Sequence, residues 1–359
     1  MAASTTPNSK LPYHKLHDEF DSDDENDQYP LDTPKFLWPA RLAVLTSLKG
    51  LRRSSISRAL MASASLIAIS LLVYIFSIRD RRIVVSQLSP IDAETLDDRP
   101  LILYAYSETD NARENALFFI KHGLHDAANF IFILNGENTI EEEIPNEAHI
   151  AVIERKNECY DLGAYSEVLT ANNNSLVNSH KRFILLNASI RGPFLPTWSN
   201  QCWSEAYLNK VTDTIKLVGM SFNCQAPRGP HVQSMILATD RVGIDILLND
   251  VIAGHCYSGW DDAVDGETNI TQAIRQAGYH VTTFMTPFSS VADYPDNCEH
   301  GDILWNDKYF GTNMHPYEAM FQKANRDIYP DQLRLLTEWH NKANYSSQPF
   351  CGAGRQASS

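Results

Sequence analysis

The sequence predicts a three-layer α/β domain with a mostly parallel β-sheet, preceded by one transmembrane helix. From about Pro100 onward, short apolar runs alternate with segments of helical periodicity. Upstream, residues 59–78 form a stretch of twenty residues without a single charge. All six cysteines lie after that stretch, which is typical of a domain in an oxidising compartment.

Residues 1–58 predict a cytosolic disordered tail. They carry eight acidic and eight basic side chains and are rich in polar residues and proline. The part next to the uncharged stretch is basic, with Arg52, Arg53 and Arg58, and we expect it to contact anionic lipid headgroups weakly.

Residues 59–78 predict a signal-anchor helix in the lipid bilayer. About 20 apolar residues at a rise of about 1.5 Å cross a hydrocarbon core of about 30 Å. A buried core helix is the alternative, but such helices rarely run this long without a charge. The 58 preceding residues argue against a cleaved signal peptide. The basic flank places the N-terminus inside, so we expect a single-pass type II protein of the secretory pathway, in the Golgi.

The remaining chain predicts a stem over residues 79–99 and a lumenal domain over residues 100–359. The six cysteines allow 15 pairings, which the sequence leaves open. Four Asn-x-Ser/Thr triplets follow the membrane segment, and we expect glycans on Asn173, Asn269 and Asn344. The fourth, at Asn187, ends an apolar strand, and we expect this side chain to line a pocket instead.

Strands and helices alternate along the lumenal domain, which is the pattern of a parallel sheet. Apolar or β-rich runs predict strands at 101–106, 129–135, 149–154, 182–187 and 215–223. Helical spacing predicts helices at 111–124, 162–172, 231–240 and 242–254, and a helix leading into a strand over 267–284.

Several function classes are disfavoured by motifs that the sequence lacks. There is no Gly-x-Ser-x-Gly elbow, no phosphate loop, no Gly-x-Gly-x-x-Gly fingerprint and no His-Glu-x-x-His. After residue 78 the chain holds 36 acidic and 22 basic side chains, so no nucleic-acid partner is expected.

Polar side chains gather just after the predicted strands, where parallel sheets bind ligands. Each has a simpler structural explanation, such as capping a helix or closing a turn, and their shared placement is what makes them candidates. These residues are Asp110, Lys156, Asn157, Asp161, Asn187, Ser189, Arg191, Arg228, His231, Gln233, Asp262 and Glu267.

The order of five motifs resembles the rhamnan synthesis protein F group of glycosyltransferase-like proteins. They are NECYDLGAYSEVL, RFILLNASIRGPF, VTDTIKLVGMSFN, PHVQSMIL and GETNITQAIRQAGY, spread over roughly residues 100–320. The positions that match the group are Asn157, Asp161, Asn187, Ser189, Gly192, Pro193, Gln233, Ser234 and Glu267. One position departs from it: Ala188 stands where the group has the Asp of an Asn-Asp-Ser stretch.

The resemblance implies a glycosyltransferase-A-like fold and transfer of a sugar from a nucleotide-sugar donor to a glycan acceptor. Such a reaction needs a base for the acceptor hydroxyl, for which the candidates are Asp161, Glu267 and Asp262. It also needs positive charge for the departing diphosphate, from a Mn or Mg ion or from basic groups. The candidates on the donor side are Asp110, Lys156, Asn157, Asn187, Ser189, Arg191, Arg228, His231 and Gln233, with a helix N-terminus expected at His231.

The Ala188 departure keeps a second function class open. A lumenal glycan-binding or scaffold protein could retain the fold and lack the reaction. A glycan hydrolase is a third alternative, since two carboxylates at a suitable separation could catalyse hydrolysis of a glycosidic bond. The metal ligands, the donor sugar and the acceptor stay open.

Overall fold

A computed structural model describes residues 97–224 and 228–351 of the chain. The predicted tail, the uncharged stretch 59–78 and nearly all of the predicted stem lie outside the described residues. Among the helices that the structure does describe, none combines the length and apolar character needed to cross a membrane.

A seven-stranded sheet, mostly parallel, forms the centre of the domain, as the sequence predicts. Only one strand, Ile236–Asp240, runs against its two neighbours, Arg182–Asn187 and Ile215–Gly219. In spatial order the strands are β10 (His280–Thr283), β6 (Ile215–Gly219), β9 (Ile236–Asp240), β4 (Arg182–Asn187), β1 (Leu101–Ser107), β2 (Asn129–Asn135) and β3 (Ile150–Arg155). Two small antiparallel pairs accompany it: β5 (Ile190–Arg191) with β11 (Gln322–Lys323), and β7 (Phe222–Asn223) with β8 (His231–Val232).

Helices cover the sheet, and its interior strand β1 is buried on both faces. Residues 101–106 of β1 are at most 1% exposed, as a strand between two helical layers requires. The helices are α1 (Asp110–His122), α2 (Tyr160–Ser179), α3 (Trp203–Leu208), α4 (Arg241–Leu247), α5 (Trp260–Gln276), α6 (Thr286–Ser290), α7 (Tyr294–Asn297), α8 (Pro316–Ala319), α9 (Pro330–Ala343) and α10 (Gln348–Cys351). Helix α4 continues into a π-helical turn, and α2 is interrupted at residues 171–174.

The helix predicted over residues 231–240 is wrong. This segment forms β8 and then β9, whose residues Ile236 and Ala238 are fully buried between β4 and β6. A short apolar run buried on both sides has no periodicity that distinguishes a strand from a helix. The correction removes the helix N-terminus expected at His231.

All six cysteines are paired, which agrees with the prediction of a disulfide-bonded domain. The pairs are Cys159–Cys256, Cys202–Cys351 and Cys224–Cys298. The first of them joins the residue before α2 to the segment before α5. Gly163 permits this join, because a Cβ there would lie 2.5 Å from the Cβ of Cys159.

Candidate functional site

Three parts of the fold meet at one edge of the sheet. Strand β4 ends at Asn187, and the backbone N–H of Asn187 donates to the carbonyl of Met235 at 3.1 Å. Because β9 runs in the opposite direction, the residues that lead into it, Gln233 and Ser234, lie at the same edge as the end of β4. Helix α5 packs along β8 and brings Glu267 to the same place, where its carboxylate accepts a hydrogen bond from the Ser234 N–H.

A chain of hydrogen bonds runs from a lysine to an aspartate across this edge. The ammonium of Lys323 donates to Ser189 Oγ at 3.0 Å, and the Ser189 hydroxyl donates to Asn187 Oδ1 at 2.6 Å. The amide nitrogen of Asn187 in turn donates to Asp161 Oδ2 at 2.6 Å. Every bond points from the cation toward the anion, so each member orients the next.

Of the two ends of this hydrogen-bonded series, Lys323 is buried and Asp161 is partly buried, and desolvation shifts both pKa values. Desolvation raises the pKa of Asp161, and Glu267 raises it further, while the Asn187 hydrogen bond and the charge of Lys323 act against the rise. Desolvation lowers the pKa of Lys323 from 10.5 to about 8, and Arg326 lowers it further. Desolvation thus makes the charged form of each group less favourable than it is for the same side chain in water.

Glu267 is held by one hydrogen bond, lies near His231 and remains partly open to solvent. Its Oε1 accepts the Ser234 N–H at 2.5 Å, and its Oε2 lies 3.9 Å from His231 Nε2. The other ring nitrogen of His231, Nδ1, lies 2.9 Å from the Gly229 carbonyl, which can only accept, so Nδ1 carries a proton. The Glu267 side chain is 19% exposed.

A third carboxylate, Asp302, is bonded to both Gln233 and Arg326. Gln233 donates to its Oδ1 at 3.1 Å, and Arg326 Nη1 donates to its Oδ2 at 2.6 Å. Gln233 is itself oriented by the Ser221 hydroxyl, which donates to Gln233 Oε1 at 2.9 Å. The guanidinium of Arg326 lies over the ring of Trp305, 4.7 Å from its centroid, so a half-exposed aromatic flanks this group.

We call this group of side chains the rim site. It contains three carboxylates, two cations and the two polar residues that connect them. Its members are Asp161, Asn187, Ser189, Glu267, Asp302, Lys323 and Arg326.

Sequence reasoning identified four of these members and missed three. Asp161, Asn187, Ser189 and Glu267 were placed by their position after predicted strands or by the family resemblance, and His231 and Gln233 lie against the rim site. Asp302, Lys323 and Arg326 belong to residues 299–329, where elements are short and no strong periodicity marks a strand end. Only the pairing of β11 with β5, which sets Lys323 opposite Ile190, brings that cation in.

The remaining candidates occupy other positions. Asn157 lies at the ends of the neighbouring strands and donates to Ser107 Oγ at 3.0 Å. Lys156 and Asp110 are exposed, after β3 and in the first turn of α1. Arg191 is buried and bonded to Glu114 and Asn115, at 2.7 Å each.

Asp262 lies in the first turn of α5, five residues before Glu267, and Arg228 lies against the start of the same helix. Arg228 is paired with Asp261 and stacks over Trp260. Asp262 accepts hydrogen bonds from the Ser258 N–H and from His255, and these hold its pKa below the ordinary value, with the Ser258 bond the larger cause. Arg228 and Asp262 therefore each have partners of their own near the start of α5, and none of these partners belongs to the rim site.

The rim site does not fit a divalent cation as it is arranged. Each of its three carboxylates already accepts hydrogen bonds from protein donors, and Lys323 stands among them. Within residues 97–224 and 228–351, the one group of three metal-binding side chains is His125, Cys202 and Cys351, whose two sulfurs are joined in a disulfide. Ala188, in place of the family aspartate, is buried and supplies no carboxylate.

Two solved structures illustrate what the chain trace is similar to. A mannosyltransferase from Pyrobaculum calidifontis in complex with GDP-Man and Mn2+ is 14% identical, with a TM-score of 0.33 over 63% of this chain and 65% of that one. The glycosyltransferase GlyE from Streptococcus pneumoniae is 12% identical, with a TM-score of 0.31 over 70% of this chain and 65% of that one. No protein-family model matches the chain, and no curated protein matches it by sequence. We therefore take the function from the chain's own residues.

Proposed function

We propose that the protein is a glycosyltransferase that moves a sugar from a nucleotide-sugar donor to a glycan acceptor. The observation that carries this proposal is the rim site itself, in which partly buried carboxylates meet the buried Lys323 and the partly exposed Arg326 at the carboxyl edge of a mostly parallel sheet. Sugar transfer needs both kinds of group at once: a base for the acceptor hydroxyl and positive charge for the departing diphosphate.

Glu267 is the base in this proposal. Its carboxylate is partly open to solvent, where an acceptor hydroxyl can reach it, and the hydrogen bond from the Ser234 N–H holds its orientation. Asp161 is committed to the amide of Asn187 and acts as a positioning residue for the chain that ends at Lys323. Asp262 is unsuited to the role, because its hydrogen bonds favour the charged form and lower its basicity.

The nucleobase of the donor would lie over the ends of β1, β2 and β3. Asn157, Ser107 and Asn135 form a polar strip there, and Arg155 donates to Asn135 Oδ1 at 2.6 Å. Amide, hydroxyl and carbonyl groups of this kind recognise a nucleobase or a ribose through hydrogen bonds. Lys156 and Asp110 flank the strip and are accessible to the same ligand.

We further propose the membrane-anchored, lumenal setting that the sequence predicts, with residues 59–78 in the bilayer and the catalytic domain in the Golgi lumen. Three disulfides support an oxidising compartment, because cytosolic proteins seldom keep such bonds. The likeness of the five motifs to the rhamnan synthesis protein F group supports the same reaction class.

The test is turnover of nucleotide sugars by the full-length chain. A panel of UDP- and GDP-linked sugars is incubated with the protein, and release of nucleoside diphosphate is measured. Glu267→Gln keeps the size of the side chain and removes the base, so we expect a loss on the order of 10²–10⁴ in rate. Glu338→Gln, on the exposed side of α9, is the matched control and should keep the wild-type rate.

A glycan-binding protein without catalysis is the second candidate, favoured by the alanine at position 188. It predicts binding of free glycans together with no binding and no turnover of any nucleotide sugar. That result would reject the transferase proposal, whereas turnover that Glu267→Gln removes would reject the binding protein.

A further inference from the structure

We propose that the rim site holds the donor's diphosphate with the side chains of Lys323 and Arg326 in place of a divalent cation. The inference rests on the proposed function and names the groups that neutralise the leaving phosphate. It also departs from the expectation of a Mn or Mg ion, on the ground that the side chains of the rim site are arranged for another ligand.

Lys323 faces the carboxylates that a metal ion would need as ligands. Its ammonium is within electrostatic reach of Asp161, Glu267 and Asp302, and it donates to Ser189 Oγ. A divalent ion among the same carboxylates would face the charge of Lys323 and of Arg326 at close range. It would also have to displace the hydrogen bonds from Asn187 and Ser234.

Both cations keep donors for a ligand. Lys323 has three ammonium hydrogens, and Ser189 Oγ is its one hydrogen-bond partner in the part of the chain that the structure describes. Arg326 uses Nη1 on Asp302 and on the Leu304 carbonyl, which leaves Nε and Nη2 without a protein acceptor among the described residues. Its side chain is 26% exposed, so these donors can meet a phosphate oxygen.

The charges of the rim site can adapt to an anion. Three carboxylates against two cations leave a surplus of one negative charge, but Asp302 is neutralised directly by Arg326. The pKa of Asp161 is already raised by burial, and an incoming diphosphate raises it further, because like charges favour the protonated form. Binding of the diphosphate should therefore be accompanied by uptake of a proton.

The experiment is calorimetric titration of the full-length chain with inorganic pyrophosphate, UDP and GDP. Each titration is run in EDTA and again with Mn2+. We expect the Kd of the best ligand to agree within about twofold between the two conditions. We also expect the apparent enthalpy in two buffers of different ionisation heat to report proton uptake.

Two variants with matched controls locate the binding. Lys323→Met and Arg326→Met should each weaken binding in EDTA by at least tenfold, while Lys323→Arg keeps the charge and most of the affinity. The controls are Lys342→Met and Arg334→Met, on the exposed surface of α9. Thermal unfolding of each variant verifies its fold, and Arg326→Met, at a partly exposed position, serves as the test if Lys323→Met does not fold.

The outcomes separate this inference from the proposed function. Binding that needs Mn2+ would overturn the inference but would remain consistent with the proposed glycosyltransferase function. Unchanged affinity in both Met variants would overturn it as well. A chain that binds none of the three probes in either condition would overturn both.

Discussion

Asn187 donates its amide hydrogen to Asp161 while its own carbonyl oxygen accepts two hydrogen bonds from Ser189. This fixes the orientation of the amide, because the NH₂ group must face the carboxylate and the oxygen must face the serine. The direction of all the hydrogen bonds between Lys323 and Asp161 depends on that one side chain. An asparagine is therefore required at the end of β4 for a reason that a turn alone does not explain.

Asn187→Asp should destabilise the protein at neutral pH. The new carboxylate removes the donor that Asp161 needs and sets two like charges at hydrogen-bond distance, at a cost of about 1–3 kcal/mol or more. One of the two acids then has a raised pKa in the folded state, so the folded state binds the extra proton more tightly and the deficit shrinks as the pH falls. Urea unfolding at pH 7 and pH 5 measures both effects.

The control for this substitution is Asn269→Asp, an exposed position on α5. Surface changes of this kind usually stay within about 0.5 kcal/mol. Equal stability of Asn187→Asp and wild type at pH 7 would mean that the Asp161–Asn187 bond does not orient the rim site.

The local sequence pattern was sufficient to predict most of the sheet and four of the seven rim-site residues. The runs at 129–135 and 182–187 are strands with the predicted bounds. They could be predicted because the sequence of a buried parallel strand is a nearly continuous apolar segment. Asn187 follows from the second of those strands and Asp161 from the strand predicted over 149–154, since binding residues collect where strands end. The strand over 236–240 was missed because Met235, Ile236 and Leu237 suit a buried helix equally well.

The other three rim-site residues are brought in by contacts between residues far apart in the sequence. Lys323 enters through β11, a strand of two residues that has no signature of its own and exists only through its bonds to β5. Asp302 lies in a loop that Arg326 and Gln233 hold in place. Contacts between residues this far apart in sequence leave no trace in local periodicity, so sequence reasoning assigned the phosphate to Lys156, Arg191 and Arg228 instead. The structure gives both of those arginines acidic partners elsewhere.

Glycans should occupy Asn173, Asn269 and Asn344 and leave Asn187 free when the chain passes through a secretory pathway. The side chain of Asn187 is buried and its nitrogen is already bonded to Asp161, whereas the other three asparagines are exposed. Peptide mapping by mass spectrometry after expression in a eukaryotic secretory host gives the occupancy of each site. A glycan on Asn187 would contradict the arrangement of the rim site.

The disulfide between Cys159 and Cys256 should matter for binding as well as for stability. It connects the residue before α2, which carries Asp161, to the segment before α5, which carries Glu267. The double substitution Cys159→Ser and Cys256→Ser opens a loop of 97 residues, and we expect a loss of about 2–5 kcal/mol in the free energy of unfolding. Nucleoside diphosphate affinity should fall too, because the two carboxylates lose their common anchor.

The matched control is the double substitution Cys202→Ser and Cys351→Ser. This bond spans 149 residues and joins α3 to the last helix, and none of the rim-site residues belongs to either element. Its removal should lower stability by a similar amount, since the entropy of loop closure grows only slowly with length, and should leave affinity within about twofold. Equal losses of affinity in the two double variants would show that the first disulfide has no special link to the rim site.

The charge of Lys323 gives the last prediction, a pH dependence in which stability and binding change in opposite directions. Burial lowers its pKa from 10.5 to about 8, and the charged groups that face it are Arg326, Glu267, Asp161 and Asp302. Between about pH 8 and 10.5 the unfolded chain holds this proton more tightly than the folded one. The free energy of unfolding contributed by this group therefore rises with pH in that window.

Binding of UDP or GDP should weaken over the same range, because the folded protein loses the ammonium that faces the diphosphate. The affinity should fall up to tenfold per pH unit above about 8, until the pH reaches the higher pKa that Lys323 has in the complex. Calorimetry and urea unfolding from pH 7 to 10 measure the two trends, each taken as wild type minus Lys323→Met so that other titrating groups cancel. Lys323→Arg, which stays charged throughout, should bind with no such fall. If the affinity of the wild type and of Lys323→Arg followed the same pH curve, the lysine would not be the group that meets the phosphate.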